Sequence, residues 1–336
     1  MKFLENKTIL VFGGCGFMGS NFIRRVLECA ETAHIINLDA LTYAGNRNNL
    51  ADIKERYFFV KGDICDASEV RKLMNKADYV VNFAAETHVD RSIHGKAADF
   101  VRTNIEGVHS LLEALRESPG VKKMIHVSTD EVWGDLALDS QEKFTEDSPF
   151  KPNSPYAASK AAGDLLVRAY AKTYGLPVVV SHSVNNFGPR QFPEKLIPFF
   201  TLLAMEDKPL TLYGDGKNVR DWLYVDDHTA ALLTLLEKAP AGSVYAISGD
   251  EEYSNIQIAK KILGILGKPE TLIAFVKDRP AHDRRYSVNS ARLRQLGWKP
   301  EHSIGTQLKK TVEWYGNNPA WLADIAQKRR AINTHL

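Results

Sequence analysis

A tyrosine and a lysine four positions apart, Tyr156 and Lys160, stand about one turn from each other on a single helix face. A phenol ordinarily keeps its proton to about pH 10, and a nearby ammonium favours the phenolate, so Tyr156 is placed to act as a base near neutral pH. The same spacing also describes the plain surface of an amphipathic helix. Weight for the chemical reading comes from upstream, where Ser128-Thr129-Asp130-Glu131 follows an apolar run. Thr129 offers a hydroxyl to a sugar or alcohol oxygen, and Asp130 and Glu131 set two carboxylates side by side at the expected end of a buried strand. In open α/β sheets the carboxyl ends of strands are where ligands bind. On an ordinary surface loop the same acids would simply be solvated.

Such groups need a scaffold, and the N-terminal part of the chain describes one. Thr8 to Phe12 reads as a buried strand, followed at once by Gly13-Gly14-Cys15-Gly16-Phe17-Met18-Gly19 and a helical pattern through Phe22, Ile23, Val26 and Leu27. Glycines at 13, 16 and 19 allow a tight turn, close approach to a pyrophosphate and close helix packing, while the helix N-terminus offers amides to phosphates. A second strand, His34 to Leu38, ends in Asp39. An acid about 20 residues past the glycine loop suits both hydroxyls of an adenosine ribose and repels a 2′-phosphate, which favours NAD over NADP.

The theme repeats. Tyr57 to Val60 leads to Gly62-Asp63-Ile64, and Tyr79 to Phe83 leads to Ala84-Ala85-Glu86-Thr87-His88. Asp63 suits an adenine amino group, or equally a simple turn; Ala84 and Ala85 are small enough for a cofactor to lie against the strand end. Lys123 to Val127, Val178 to Ser181 and Val244 to Ile247 complete the strands. Strands alternating with helices predict an α/β fold: a Rossmann-type doubly wound parallel sheet with a smaller C-terminal substrate-binding cap. The expected division is residues 1–185 as the NAD-binding unit, with about 222–248 returning to it, and 186–221 plus 249–336 as the cap. In the cap, Lys195, Arg220, Arg279 and His282 are scattered cations of the kind a nucleotide diphosphate needs, and arginine suits bidentate phosphate contacts. Each is equally readable as an ordinary surface charge.

Composition excludes several classes. At 44% hydrophobic and 25% charged, the chain has ample core for a globular protein, and a formal net charge of +2 argues against nucleic acid and polybasic membrane anchoring. Lys328-Arg329-Arg330 is a short basic run that reads as a solvated helix end. Cys15, Cys29 and Cys65 form no CxxC pair, so neither a zinc site nor a disulfide framework is expected, and a cytoplasmic location follows. Lys2, Glu5 and Lys7 break the apolar N-terminus, and no stretch approaches the length of a membrane span.

With these segments assembled, the chain resembles the dTDP-glucose 4,6-dehydratases of the extended short-chain dehydrogenase/reductase superfamily over nearly its whole length. The resemblance rests on GGCGFMGSNF (13–22), NLDALTYAGN (37–46), GDICD (62–66), NFAAETHVDRSI (82–93), STDEVWGDL (128–136), NSPYAASKA (153–161), NNFGPRQFPEKLIP (185–198), YGDGKNVRDWLYVDD (213–227) and RPAHDRRYSVN (279–289). It implies that Tyr156, assisted by Lys160 and Thr129, deprotonates the glucosyl 4-hydroxyl during oxidation by NAD, that Glu131 removes the C5 proton, and that Asp130 protonates the departing 6-hydroxyl. It also implies cofactor contacts at Gly13, Gly16, Phe17, Met18, Gly19, Asp39, Ala40, Leu41, Thr42, Asp63, Ile64, Ala84, Ala85, Thr87, Thr103, Tyr156, Lys160 and Asn186. Nucleotide-sugar contacts would fall on Thr129, Asn185, Glu194, Lys195, Arg220, Asn255, Arg279 and His282. His88 is left with either an orienting or a packing role.

The family resemblance further implies a homodimer through a four-helix bundle. Val108, Leu111, Leu112 and Leu115 would supply its apolar stripe, although the same stripe suits the core. Trp133 and Phe187 stand where tyrosines are common and His182 where arginine is expected, so UDP-glucose or another nucleotide hexose stays open as substrate. A 4-epimerase or decarboxylase of the same superfamily has no use for the paired acids. A non-catalytic NAD-binding protein would have no use for Tyr156 and Lys160 either.

Overall fold

The structure, a computed structural model, describes residues 1–332; the side chains of Gln327 and of 329–332, and so of Arg329 and Arg330 in the basic run, lie outside the described ones. Six strands form in the first half: β1 (Thr8–Phe12), β2 (His34–Asp39), β3 (Tyr57–Lys61), β4 (Tyr79–Asn82), β5 (Lys123–Thr129) and β6 (Val178–Ser183). β1, β4, β5 and β6 are buried almost end to end. Such runs fit a parallel sheet covered on both faces. Side chains alternate between the two covers: Ile9 and Val11 enter a core with Phe22, Ile23 and Val26, while Leu10 and Phe12 enter another with Val70, Leu73 and Leu111.

Four further strands follow as β7 (Asn185–Phe187), β8 (Leu210–Tyr213), β9 (Val219–Tyr224) and β10 (Val244–Ile247), then β11 (Glu252–Ser254) and β12 (Ile273–Val276). β10 joins the main sheet, whose seven strands run in the order β10-β6-β5-β4-β1-β2-β3, with every neighbouring pair parallel. The direction of winding reverses between β1 and β4. That switch point opens a crevice at the strand carboxyl ends.

The remaining strands build a second, smaller body. β9 is flanked by β7, parallel, and by β11, antiparallel; β8 pairs with β12. Helices Leu196–Met205, Asn255–Leu266 and Ile304–Asn317 cover them around Phe187, Phe200, Ile258, Ile262 and Leu308. The middle helix shows why it begins and ends where it does: Ser254 and Gln257 form a capping box, and Gly267 takes the left-handed conformation just past the last turn.

The C-terminal segment does not stay in the smaller body. Val288, Leu293 and Trp298 pack into the first core beside Ile247, and the helix Pro319–Ile332 lies across the loop after β2. There Trp321 Nε1 donates to Asn49 Oδ1 at 2.7 Å, and Lys328 Nζ donates to the carbonyls of Thr42 at 3.1 Å and Gly45 at 3.0 Å. The expected apolar stripe Val108, Leu111, Leu112 and Leu115 is buried in the chain's own second core. Its helix and the neighbouring ones expose instead Val101 at 47%, Leu165 at 56% and Tyr174 at 53%. Among the described residues no helix is long and apolar enough to cross a membrane.

Candidate active site

One cleft of about 640 Å³ runs along the carboxyl ends of the strands at the switch point and under the smaller body. Its floor is the glycine loop. A Cβ on Gly13 (φ +75°) would stand 2.6 Å from Ala84 N, and one on Gly19 would stand 2.5 Å from Gly13 O, so loop, helix and β4 end pack too closely for side chains. Gly16 meets nothing nearer than 3.4 Å. It caps the helix Phe17–Cys29, whose first residues Phe17 and Met18 line the cleft and turn a helix N-terminus toward it.

Beyond the loop, Asp39 is buried at the end of β2, with Oδ2 accepting from Cys15 N and Oδ1 from Leu41 N, both at 2.8 Å. Burial raises its proton affinity, while those amides and the Lys328 ammonium oppose the rise. Ala40 and Thr42 line the cleft; Leu41, in a left-handed conformation (φ +55°), contributes its amide from outside the lining. Asp63 also lines the cleft. Its carboxylate accepts from Cys65 N at 2.9 Å and pairs with Arg102 at 2.7 Å, so it shapes its turn and faces the cleft at once. Ile64, Ala84, Ala85, Thr87 and Thr103 complete this wall.

Thr103 sits in a π-helical stretch, Arg102–Gly107, which turns Asn104 toward two elements: its Nδ2 donates to Glu86 O and to Ser159 Oγ, both at 2.9 Å. The β4 loop is thereby tied to the helix Pro155–Tyr174. That helix starts sharply because Ser154 Oγ accepts from Ala157 N at 3.1 Å and Pro155 occupies the first turn; Gly175 (φ +67°) ends it. Tyr156 and Lys160 share its cleft-facing side, and both are buried. Lys160 Nζ donates to Val127 O at 2.8 Å. Burial raises the Tyr156 proton affinity, the Glu131 carboxylate adds to it, and the hydroxyls of Thr87 and Thr129 lower it.

Thr129 ends β5 and caps the 3₁₀ turn Asp130–Trp133: its Oγ1 accepts from Glu131 N at 3.3 Å and donates to Asp130 Oδ1 at 3.2 Å. The two acids that follow stand in different fields. Asp130 is pushed well above the carboxylate range by burial, then by the charges of Glu131 and Asp221. Glu131 is raised by burial too, but Lys195, Arg279 and Arg220 all act to lower it. Carboxylates surround Asp130 and cations face Glu131, so the two environments push the pair apart, with the stronger upward push on Asp130.

On the smaller body's side, Asn185, Asn186, Glu194 and Lys195 line the cleft. Glu194 is pushed up to about 7 by burial, against Lys195 and the Tyr43 hydroxyl, which donates to its Oε1 at 2.8 Å. Asp130 Oδ2, Asn186 Oδ1 and Glu194 Oε2 are buried acceptors without a partner among the described groups, and all three residues line this cleft. A molecule rich in hydroxyl and amide donors would satisfy them.

Arg220, Asn255, Arg279 and His282 stand outside the lining. Arg279 pairs with Asp90 at 2.9 Å, His282 Nδ1 lies 2.6 Å from Asp278, and Arg220 stacks 4.3 Å over the Tyr286 ring and donates to Asp283 O. Asn255 opens its helix, its amide donating to Asn218 O at 3.0 Å. His88 is strained (φ +82°), half-buried, and held down to about 3 by desolvation and the Lys195 charge.

Several lining residues were not singled out from the sequence: Tyr43, Glu86, Arg91, Asp99 and Arg102. Arg91 pairs with Glu86 at 2.7 Å and lies 3.7 Å over the Tyr43 ring. The three residues that depart from the family pattern all stand away from the lining. Trp133 and His182 pack on each other, ring centroids 4.7 Å apart, and Phe187 packs among Trp222 and Tyr224.

Comparison with known proteins gives consistent findings. The family model described as GDP-mannose 4,6 dehydratase matches residues 10–311. The chain is 47% identical to a dTDP-glucose 4,6-dehydratase of Xanthomonas campestris, over 95% of this chain and 95% of that protein. Among solved structures, a dTDP-glucose 4,6-dehydratase of Streptomyces venezuelae with NAD bound superposes with a TM-score of 0.91 at 44% identity, covering 95% of this chain and 99% of that one. A UDP-glucose 4-epimerase of Thermotoga maritima superposes nearly as well, TM-score 0.85, at 28% identity over 93% of this chain and 99% of that one. The backbone alone therefore does not separate the two chemistries.

Proposed function

The chain belongs to the dTDP-glucose 4,6-dehydratase family, and on that premise we propose that it is an NAD-dependent hydro-lyase converting dTDP-glucose to dTDP-4-keto-6-deoxyglucose. The observation that carries the reading is the split environment of Asp130 and Glu131 beside Tyr156. An epimerase of the same fold needs neither acid.

The cleft fits the cofactor on its own terms: an open Gly16 at a helix N-terminus for the pyrophosphate, the buried Asp39 for the ribose, small Ala84 and Ala85, and the unpartnered Asn186 Oδ1 for an amide. When bound, NAD accepts hydride from C4 of the sugar and returns it at C6, ending as it began. Tyr156 takes the proton of the 4-hydroxyl, and Thr129 hydrogen-bonds the same oxygen. The resulting ketone acidifies the C5 hydrogen. Glu131, whose proton affinity Lys195, Arg279 and Arg220 act to lower, removes that proton, and Asp130, with the higher proton affinity, donates to the departing 6-hydroxyl, so water leaves across C5 and C6.

Further assignments belong to the same proposal. Asn185, Glu194, Lys195, Arg220, Asn255, Arg279 and His282 hold the nucleotide sugar, and His88 orients the wall through its strained turn. Residues 1–185 with about 222–248 form the NAD-binding unit, and 186–221 with 249–332 the cap, except that Val288, Leu293 and Trp298 and the helix Pro319–Ile332 pack back on the first unit. The protein is a homodimer through a four-helix bundle, for which the exposed Val101, Leu165 and Tyr174 supply the apolar face. It works in the cytoplasm, where its three free cysteines stay reduced.

The test is the mass of the product after purified protein is incubated with dTDP-glucose and, separately, UDP-glucose, with no NAD added. Loss of one water from the dTDP sugar alone is expected. An unchanged mass for both, even with NAD supplied, would contradict the reading.

A further inference from the structure

Beneath the cleft lies a buried polar cluster that the reaction above does not use. Asp164 stands one turn beyond Lys160 and two beyond Tyr156, so all three share one face of the helix Pro155–Tyr174. Its carboxylate is fully buried between β5 and β6. Oδ2 accepts from Ser128 Oγ at 2.7 Å and from His182 Nε2 at 2.9 Å, and Oδ1 lies 3.4 Å from His126 Nε2. On the far side of that imidazole, Asn82 Nδ2 donates to His126 Nδ1 at 3.2 Å, which leaves Nε2 to carry the ring proton toward Asp164. Asn82 Oδ1 in turn accepts from Ala84 N at 3.0 Å, in the wall of the cofactor cleft. One polar chain thus links the cofactor wall to the helix that carries the base.

A buried ammonium is costly without an opposite charge. Lys160 donates to one backbone carbonyl and pairs directly with no carboxylate among the described residues. Burial drives it toward the neutral amine, and Asp164 is the charge that opposes this. The other groups facing Lys160 are Tyr156 on its own helix and His126 on β5, an imidazole kept neutral by burial and by the Lys160 charge. From β6, His182 faces Asp164. Burial would raise the Asp164 proton affinity, but the two histidines beside it hold the carboxylate well below its usual range.

We propose that Asp164 is a positioning residue for the reaction: it is the buried counter-ion that keeps Lys160 charged beneath the Tyr156 phenol, with Ser128, His126 and His182 fixing its carboxylate. His182 and Ser128 both donate to Asp164 Oδ2, so the carboxylate is held in place between β5 and β6. The inference rests on Tyr156 and Lys160 acting as the base pair of the proposed reaction.

The test is Asp164→Asn, an isosteric change, followed through the single-turnover rise of reduced-nicotinamide absorbance with dTDP-glucose across pH. The alkaline limb of this oxidation step is expected to move to lower pH by about one unit or more, and its rate at neutral pH to fall about tenfold. NAD retained through gel filtration should match the wild type. A limb that stays in place overturns the proposal, whatever happens to the rate. If Asp164→Asn does not fold, Asp164→Ser replaces it: the limb must again move to lower pH, and an unmoved limb again overturns the proposal. Wild-type turnover of dTDP-glucose tests the underlying reading separately, since only the difference between wild type and variant bears on Asp164.

Discussion

The two walls of the cleft are built in different ways. On the sheet side every chemical group sits at a strand end or on one helix, within reach of a short-range partner: Thr129 on its own turn, Lys160 on Val127 O, Asp39 on the amides of Cys15 and Leu41. On the cap side Lys195 lines the cleft, its Nζ donating to Thr87 at 3.4 Å, while Arg279, paired with Asp90, and Arg220, held by Tyr286 and Asp283, stand behind the lining on separate segments. The sheet wall fixes which groups hold protons. The cap wall supplies positive potential, which suits an anionic ligand and lowers the Glu131 proton affinity. On the proposed reading, bond making belongs to the first wall and holding to the second.

The comparison breaks most visibly at Tyr156. Tyr156→Phe is expected to lower kcat by about a thousandfold, within the usual range for loss of a general base, and to abolish the reduced-nicotinamide transient. A surviving transient of normal size would move the base elsewhere. Arg279→Gln on the other wall should raise KM by about 10–100-fold with kcat within a few-fold, as expected for one charged hydrogen bond worth about 1.5–3 kcal/mol. The reverse pattern, a lost kcat at constant KM, would erase the division between the walls.

The smallest effect concerns the seam under both walls. Asp221 on β9 accepts from Ser248 Oγ and Gly249 N, and burial pushes it up to about 7 from an ordinary 3.8. The folded chain therefore holds this proton where the unfolded chain has released it. Stability from this group is full below about pH 4 and is lost as pH rises toward 7. Asp221→Asn should flatten that decline, raising Tm above the wild type by about 2–4 °C at pH 8 and leaving it equal near pH 4. Thermal scans of both proteins at the two pH values decide it.

Legibility in the sequence follows the same division. The sheet wall was readable because strand ends and helix periodicity fix where Thr129, Asp130, Glu131, Tyr156, Lys160 and Asp39 point, and local spacing carries that information. Tyr43 and Arg102 escaped notice because their pairings join segments far apart in the chain, Tyr43 with Glu194 and Arg102 with Asp63, and Arg91 and Glu86 because their mutual ion pair reads locally as an ordinary surface pair. Signals were present in retrospect: Arg91 and Tyr43 lie inside the segments 82–93 and 37–46 that mark the family. The stripe Val108, Leu111, Leu112 and Leu115 could not be assigned to core or interface from its period alone, since both demand the same pattern; packing assigns it to the core. Nor does periodicity reveal that Val288, Leu293 and Trp298 return to the first core, because a short segment with tertiary partners carries no local mark of them. Trp133 and His182 looked like two separate departures. In the fold they are one ring contact.

The central claim is that one wall holds two acids in opposite protonation states and uses both. The most direct measurement is a single turnover of Glu131→Gln with dTDP-glucose, following reduced-nicotinamide absorbance and product mass together. The account predicts that the absorbance rises and persists while the sugar loses only the two hydrogens of C4 oxidation and no water, because oxidation at C4 proceeds and elimination does not. Normal loss of water by this variant would show that Glu131 is not the C5 base and would contradict the account.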